Sequence, residues 1–575
     1  MNILAINPGH NGSAALLVDG NLEFYIEEER LSRSKYDGNP FKGMLEAILK
    51  YPIDLLVLGG TQQEFPQLPW TGEDPYTALI RKFNPGIKVA NLGHVHHMGH
   101  AAAAFYNSGF EDAAAVIVDG SGSRHEIHDG EPGTRKNPGF ETETIFSCDY
   151  KEGIKSLFQS YGGNFDTQPV YEDHLAMDNA ITIVKAYEAV SDYLGFGFIE
   201  AGKTMGLAPY GTYDEMIPSL FFNNRGNKNV FLPHYPAGAI VDHKRHPYLT
   251  LKEDPRAWHR DSNKVTDAAK NLAWAVQEET QQLVGDLIEK AVKLTGKKNI
   301  VIAGGYGLNC VANYYYKKRF PDLNIYVDPI SHDGGTAIGL AQLVYYNETK
   351  DKTIRPLKTL YLGPEREESY DFGNIKTKKV KPADVAKLIS EKNIVALYQG
   401  RSEAGPRALG NRSILYDPTD PQGKDVVNKV KGREWFRPFA GSMMQEYFEE
   451  WFDTYGMEES PYMMYAMDFK LEKHGECPAI THVDGTCRIQ TVTKEQNKNY
   501  HTLIDEFRKI TGIPILFNTS FNLAGQPLIE TLDDAMTTIK NSDINYLYLP
   551  EKGILVEYSE NDSAVKEEEV QEEAA

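Results

Sequence analysis

A short apolar strand that empties into a glycine-rich turn occurs twice in the N-terminal part of this chain, and no other feature constrains the fold as much. Ile3 to Ile6 runs into Asn7-Pro8-Gly9-His10-Asn11-Gly12, followed by Ala14 to Val18, the Asp19-Gly20 turn and Leu22 to Ile26. Apolar runs separated by glycine turns predict a β-meander whose first turn brings backbone N–H groups close to an anion. Ala113 to Val118 reads the same way, as a buried strand ending in Asp119-Gly120-Ser121-Gly122-Ser123. The recurrence predicts an internal duplication.

Just before the second unit stands HVHHMGHAAAAFYNSGF, from His94 onward. His96 and His100 are four residues apart at the head of an alanine-rich run, so on a helix both imidazoles leave the same face. That spacing can chelate a metal, with Asp119 delivered by the following strand; it also suits an ordinary helix face. A long helix is expected from about Ala268 to Leu294, with Leu272, Val276, Leu283 and Leu287 at helical spacing and Gly296 as its stop. Asn299 to Ile302 then opens into Ala303-Gly304-Gly305-Tyr306-Gly307-Leu308-Asn309. Gly304, Gly305 and Asn309, with Gly334 of a later turn, are candidate nucleotide contacts. Asp333, in Ser331-His332-Asp333-Gly334-Gly335, either faces a phosphate or metal or simply caps the helix that follows.

Duplicated strand and glycine-turn units are how actin-like ATPase folds set two phosphate loops about one nucleotide, an analogy of fold alone. A chain of 575 residues exceeds one hydrophobic core, so two large domains or three smaller ones are expected. Asn347 to Asp371 is charged, contains proline and lacks periodicity, which marks a boundary. Beyond it, Val385 to Ser390 reads as helix and Ile394 to Tyr398 as a strand entering GRSEAGPRALGNRS, which carries Arg401, Arg407 and Arg412. Lys429, Lys431, Arg433 and Arg437 follow in NKVKGREWFRPFAG. In a chain of net charge −21, so local a set of cations points to a phosphate-rich ligand, the other reading being a salt-bridge cluster. Pro514 to Phe517 is a strand leading to Asn518-Thr519-Ser520-Phe521-Asn522, rich in amides and hydroxyls.

The net negative charge also argues against broad nucleic-acid binding. Four cysteines without a CxxC pair suit a reducing, cytoplasmic setting. MNILAINPGH reads as a first strand and not a signal peptide, and no apolar run is long enough to cross a bilayer. From Glu560 the chain is an acidic tail, expected to be disordered.

Taken in order, these segments resemble the NodU/CmcH/TobZ family of O-carbamoyltransferases across roughly residues 1 to 550. The N-terminal half is similar in NPGHxxSAAL (Asn7 to Leu16), EERLSRxK (Glu28 to Lys35), HHxxHAAxA (His96 to Ala104), GKTMGLAPYG (Gly202 to Gly211) and GGxxLNCVAN (Gly304 to Asn313). The C-terminal half is similar in GRxExGPRALGNRSIL (Gly400 to Leu415), KxREWFRPFA (Lys431 to Ala440) and the NTSFN that ends at Asn522. Phe517, Ala524, Gln526 and Gly441 depart from the residues common at their positions.

The resemblance implies an α/β protein: an N-terminal actin-like (ASKHA) duplicated ATPase-type domain, residues 1–350, and a YrdC-like α/β domain, residues 371–557, with a linker at 351–370 and the acidic tail at 558–575. It implies that carbamoyl phosphate and ATP become carbamoyl-adenylate in the second domain, through Arg401, Arg407, Arg412, Lys431, Arg433, Arg437, Asn518 and Ser520. The first domain would pass the carbamoyl group to a hydroxyl, with His10 as base, since an imidazole titrates near neutral pH, and Lys35 beside the adenylate. His96, His100, Asp119 and Asp333 would hold a divalent metal. Fe(II) is favoured by ligand type and by the family, while ligand type alone leaves Zn, Mn and Mg open. The expected acceptor is a small molecule such as a sugar or antibiotic. The alternatives are a hydroxymethylated base in nucleic acid, for which His243 to Lys264 could line a groove, and a threonylcarbamoyl-adenosine-type tRNA modification. A homodimer is a family-level expectation.

Overall fold

The computed structural model describes residues 1–61, 65–128, 136–163, 168–171, 174–178, 182–217, 219–221, 231–233, 239–241, 264–366 and 369–559. The acidic tail from Glu560 onward, and all but the last residue of the basic segment at His243 to Lys264, lie outside them; Tyr558, placed in the tail by sequence, is buried. The chain forms two compact units: Met1–Ser32 with Tyr36–Lys358, and Arg33–Lys35 with Thr359 onward.

The first unit contains the duplication. Strands β1 (Asn2–Asn7), β2 (Ser13–Val18) and β3 (Asn21–Glu27) form the meander, and β4 (Leu55–Leu58) and β5 (Lys88–Asn91) complete a sheet of order β3-β2-β1-β4-β5. The pairs β1/β2 and β2/β3 are antiparallel, while β1/β4 and β4/β5 are parallel. Helix α1 (His96–Ser108) closes the first repeat. In the second repeat β6 (Asp112–Val118), β7 (Lys136–Asp149) and β8 (Gly153–Gly163) make the meander, followed by helix α2 (Ile183–Tyr193) and the long α3 (Asp267–Thr295). Then come β9 (Asn299–Ala303), α4 (Cys310–Arg319), β10 (Asn324–Val327) and α5 (Thr336–Thr349). Its sheet runs β8-β7-β6-β9-β10 with the same sequence of antiparallel and parallel pairs, and shorter strands extend it beyond β8 and beside β7. Two sheets of identical order and sense, each followed by a helix, are the duplicated actin-like architecture.

Burial explains the arrangement. β1 and β6 are buried on both faces, with Ile3 to Ile6 and Ala113 to Val118 fully excluded from solvent, because each lies at the centre of its sheet under helices. Helices α1 and α5, which end the two repeats, cross at a point where only glycine fits: a Cβ on Gly339 would stand 1.9 Å from the carbonyl oxygen of Gly99. In α3 the inner face runs through Leu272, Val276, Val284 and Ile288. The expected Leu283 and Leu287 are only half buried, one residue off that face, as the 3.6-residue period drifts along a long helix.

The second unit is built on one mixed sheet of nine strands. The strands that matter for function are β11 (Val395–Tyr398), β12 (Arg412–Tyr416), β13 (Ala440–Met444), β14 (Thr486–Val492) and β15 (Ile515–Ser520), adjacent in the order β11-β12-β15-β13-β14. The last of these continues past Phe517, so Asn518 and Ser520 sit on a strand and not in the turn after it. Its pairing with β12 and β13 holds it extended to that point. No helix among the described residues is long and apolar enough to cross a membrane.

Candidate functional site

In the first unit the two repeats bring the four candidate metal ligands together. His96 and His100 leave the first turn of α1, with their Nε2 atoms 3.2 Å apart. Asp119 follows β6, and Asp333 lies in the short turn that opens α5. His96 Nε2 stands 3.7 Å from Asp119 Oδ2 and 3.6 Å from Asp333 Oδ1, and His100 Nε2 is 3.9 Å from Asp333 Oδ1. One ligand atom from each of the four lies within 4.8 Å of all the others.

The electrostatics suit a cation. Burial works against a charge on His96, but Asp333 and Asp119 override it and raise its pKa well above the ordinary value. Burial and the neighbouring His96 push His100 down to about 3. Asp333 is buried, yet His10 and His96 hold it down at about 2. Asp119 is likewise held well below its ordinary value against its burial, chiefly by the histidines. Two carboxylates thus face one protonated and one neutral imidazole, leaving the cluster net negative. A divalent ion bound by two imidazole nitrogens and two carboxylate oxygens would replace that proton.

The two carboxylates are held from behind. Asp119 Oδ1 accepts from the N–H of Gly305 (2.9 Å), so the second glycine turn orients the carboxylate. Gly304 makes this possible: its φ is +87°, and a Cβ there would meet the Val118 carbonyl at 2.3 Å. The turn bearing Asp333 is capped by His332, whose Nδ1 accepts from Gly334 N–H (3.1 Å) and whose Nε2 stands 2.9 Å from Glu27. Helix capping therefore falls to His332, and the Asp333 carboxylate is turned toward the histidines. Asn309 caps α4 by accepting from Ala312 N–H (3.1 Å) and donates to Gln277 (2.9 Å), so its amide is occupied within the unit. Ser13 donates to the Gly334 carbonyl (2.8 Å) and ties the first meander to the same turn.

Asp328 anchors that turn at its start, accepting from Ile330 N–H (2.7 Å) and Asn107 Nδ2 (3.3 Å). Burial pushes its carboxyl up to about 6. The unfolded value is about 3.9, so between about pH 4 and 6 the folded chain keeps a proton that the unfolded chain has released. This contribution to stability is complete below the unfolded pKa and is lost as pH rises through the folded one. Asp328→Asn should flatten that part of the stability profile, measured by urea melts across the window; an unchanged slope contradicts the assignment.

His10 is half exposed, with Nδ1 3.5 Å from Asp333 Oδ2. In its turn the N–H groups of Gly9 and Gly12 donate to the carbonyls of Gly38 (3.0 Å) and Asp37 (3.0 Å), so these two are not open to an anion. Lys35 belongs with the second unit, in the tripeptide whose Arg33 donates to the Leu528 carbonyl (2.7 Å). Sequence reasoning missed Lys185 and Glu188 of α2, an ion pair at 2.7 Å. A Cβ on Gly120 would stand 2.7 Å from Glu188 Oε1, so the pair faces the turn after Asp119. Nothing in an amphipathic helix pattern flags such residues.

In the second unit the arginines divide. Arg412 is 1% exposed, and its donors go to the carbonyls of Gln399 (2.6 Å), Asn411 (3.1 Å), Gly400 (3.1 Å) and Glu530 (3.2 and 3.1 Å), with its plane over Tyr398. All five N–H groups are used. Arg412 therefore fastens the loop and has no donor left for a phosphate, which corrects the expectation for it. Arg401 donates to the carbonyls of Gly363 (2.6 Å) and Leu362 (2.9 Å). The loop winds around Glu403, whose Oε1 accepts from the N–H groups of Leu409 (2.8 Å), Asn411 (2.8 Å) and Arg412 (3.1 Å), and Arg407 of the same loop is half buried.

Lys431, Arg433, Arg437 and Arg488 form the electropositive centre. Lys431 is buried and donates to the Ser520 carbonyl, to Ser520 Oγ (3.2 Å) and to Asn522 Oδ1 (3.2 Å). Arg433 lies over Phe439 and reaches Thr519 Oγ1 and the Pro438 carbonyl only at 3.4 Å. Burial, then Arg433 and Arg437, force Lys431 well below its ordinary pKa; burial, then Arg437 and Arg488, do the same to Arg433. Glu434, 3.6 Å from Arg437, offsets them in part. Arg488 stands alone on β14, without a glycine motif, and was invisible to sequence reasoning.

Two family models match the chain: "Carbamoyltransferase N-terminus" over residues 76–342 and "Carbamoyltransferase C-terminus" over residues 386–555. Nodulation protein U of Sinorhizobium fredii is 34% identical, covering 92% of this chain and 94% of its own length. Nodulation protein NolNO of the same species is 29% identical over 94% of this chain and 78% of the relative. Nodulation protein NolO of Bradyrhizobium diazoefficiens is 30% identical over 79% of this chain and 77% of the relative.

Proposed function

The chain belongs to the carbamoyltransferase family, and we propose that it works in two steps, activating the carbamoyl group on ATP in its second, YrdC-like unit and passing it to a small-molecule hydroxyl in its first. The half-buried guanidinium groups of Arg433, Arg437 and Arg488, gathered beside the buried Lys431, carry this reading. Uncompensated guanidinium groups inside a protein call for a polyanion, and carbamoyl phosphate with ATP is one. Water releases carbamate and inorganic phosphate from carbamoyl phosphate. A carbamate oxygen then attacks the α-phosphorus of ATP and expels pyrophosphate, giving carbamoyl-adenylate. Arg433, Arg437 and Arg407 bind the phosphates, and Lys431, whose three donors go to Ser520 and Asn522, adds positive charge beside them.

In the first unit the acceptor oxygen attacks the carbamoyl carbon, its proton goes to His10, and AMP departs. Asp333 holds His10 through Nδ1, which leaves Nε2 for that proton. A divalent metal held by His96, His100, Asp119 and Asp333, with Fe(II) the favoured ion, would supply Lewis-acid charge for the adenylate phosphate. Gly305 orients the Asp119 carboxylate, and His332 and Asp328 hold the turn that carries Asp333.

His10→Ala should lower transfer about 10²- to 10⁴-fold and leave pyrophosphate release in the absence of acceptor unchanged. Both rates can be followed with labelled carbamoyl phosphate and a panel of sugars, nucleosides and hydroxymethylated DNA. Wild-type transfer by the variant would remove His10 from the reaction, and labelling of the DNA alone would remove the small-molecule acceptor.

A further inference from the structure

We infer that Glu188 selects the acceptor of the transfer step by binding a second hydroxyl near the one that is carbamoylated, so that the preferred acceptor is a diol or sugar and not a lone alcohol. The inference rests on the proposal that the carbamoyl group is transferred beside His10 in the first unit.

Glu188 lies on α2, and its Oε2 accepts from Lys185 Nζ (2.7 Å), one turn earlier on the same helix. Its Oε1 has no hydrogen-bond partner among the described residues. Lys185 is buried and Glu188 half buried, so this is not a pair on an open surface. It leans over the turn that follows Asp119: a Cβ on Gly120 would stand 2.7 Å from Glu188 Oε1, 3.3 Å from Val184 Cγ1 and 3.5 Å from Lys185 Nζ. Glycine at position 120 is what admits the carboxylate so close to the backbone. Burial raises the pKa of this carboxyl, Lys185 opposes it, and Asp119 and His10 act on it from the site with opposite signs. The open oxygen therefore borders the place where His10 meets the acceptor.

The helix holds that oxygen rigidly. At its start the Ile183 N–H donates to Glu143 Oε1 (3.1 Å), in its middle Tyr187 donates to Gln277 Oε1 (3.0 Å), and near its end Ser191 Oγ lies 2.7 Å from Thr204 Oγ1. With one oxygen spent on Lys185 and the helix fixed, Glu188 offers a single directed acceptor. A carboxylate oxygen can only accept, so its ligand must bring an O–H or N–H. Lys185 already neutralises the pair, which favours an uncharged hydroxyl over an ammonium group. A molecule that gives one hydroxyl to His10 and another to Glu188 carries both on one short skeleton, as diols and sugars do.

The test follows carbon-labelled carbamoyl phosphate, in the presence of ATP, onto ethylene glycol and trimethylene glycol and onto the monomethyl ether of each. Each ether keeps a reacting hydroxyl and replaces the second O–H with an oxygen that only accepts. Full-length wild type should prefer at least one glycol over its ether by about tenfold or more in kcat/KM, the worth of one hydrogen bond to a charged group. In Glu188→Gln the amide oxygen must face Lys185, which only donates, so the NH₂ takes the open position and the preference should vanish or reverse toward the ether. Gly120→Ala, whose methyl group displaces Oε1, should lose the preference with the ion pair still present, and serves if the first variant does not fold. Equal wild-type rates on each glycol and its ether, or a preference that survives in the folded variants, overturns the inference. Pyrophosphate release with no label on any of the four alcohols would instead reject the transfer step, and the inference with it; absence of pyrophosphate would reject the activation step.

Discussion

Replacing Arg433 with methionine should abolish carbamoyl phosphate-dependent pyrophosphate release, by about 10³-fold or more, while leaving the unliganded protein at least as stable as the wild type. The two halves of this expectation have one cause. Arg433 is half buried beside Lys431, Arg437 and Arg488, and its desolvation together with the Arg437 and Arg488 charges disfavours its charged form. Its longest-range partners, Thr519 and Pro438, are weak at 3.4 Å, so little in the unliganded fold repays its desolvation. Methionine keeps the packing against Phe439 and removes the charge. Most arginine deletions that abolish activity also cost stability; here thermal melts should show no loss. A melting temperature several degrees lower, or retained turnover, would mean that the cations are a structural network.

His96→Ala should separate the two steps in the opposite sense. Acceptor carbamoylation should fall by about 10³-fold or more with the loss of bound metal, while pyrophosphate release without acceptor persists. Metal titration gives a second readout, since an ion that binds only the folded wild type raises its melting temperature and should not raise that of the variant. The variant should also be less stable without metal, because Asp119 and Asp333 would then face each other in a buried site without the protonated imidazole between them. Metal content equal to the wild type, with transfer intact, would leave the four residues as a buried polar cluster.

Much of this site can be read from sequence, for reasons that also say where such reading stops. The HisxxxHis spacing is meaningful because helical geometry is regular, and the runs Ile3 to Ile6 and Ala113 to Val118 stand out because central strands are apolar on both faces. The rest of the second repeat is harder to see. Its meander strand Lys136–Asp149 carries its apolar residues in no regular period, and more than a hundred residues separate β8 from β9, so spacing conceals a sheet order that matches the first repeat. In the second unit the glycine-rich loop draws attention to arginine but not to the direction its side chains take. Arg412 satisfies the unpaired carbonyls that an irregular loop creates, a need as strong as that of a phosphate. Arg488 and Asn518 acquire their positions from strand register, which no local motif encodes.

The central claim is that the second unit makes carbamoyl-adenylate before any acceptor is present. Wild-type protein incubated with ATP and carbon-labelled carbamoyl phosphate alone, then quenched and separated, tests it directly. The account predicts a labelled adenylate formed in step with pyrophosphate; intact ATP, with label reaching acceptor straight from carbamoyl phosphate once acceptor is added, would contradict it.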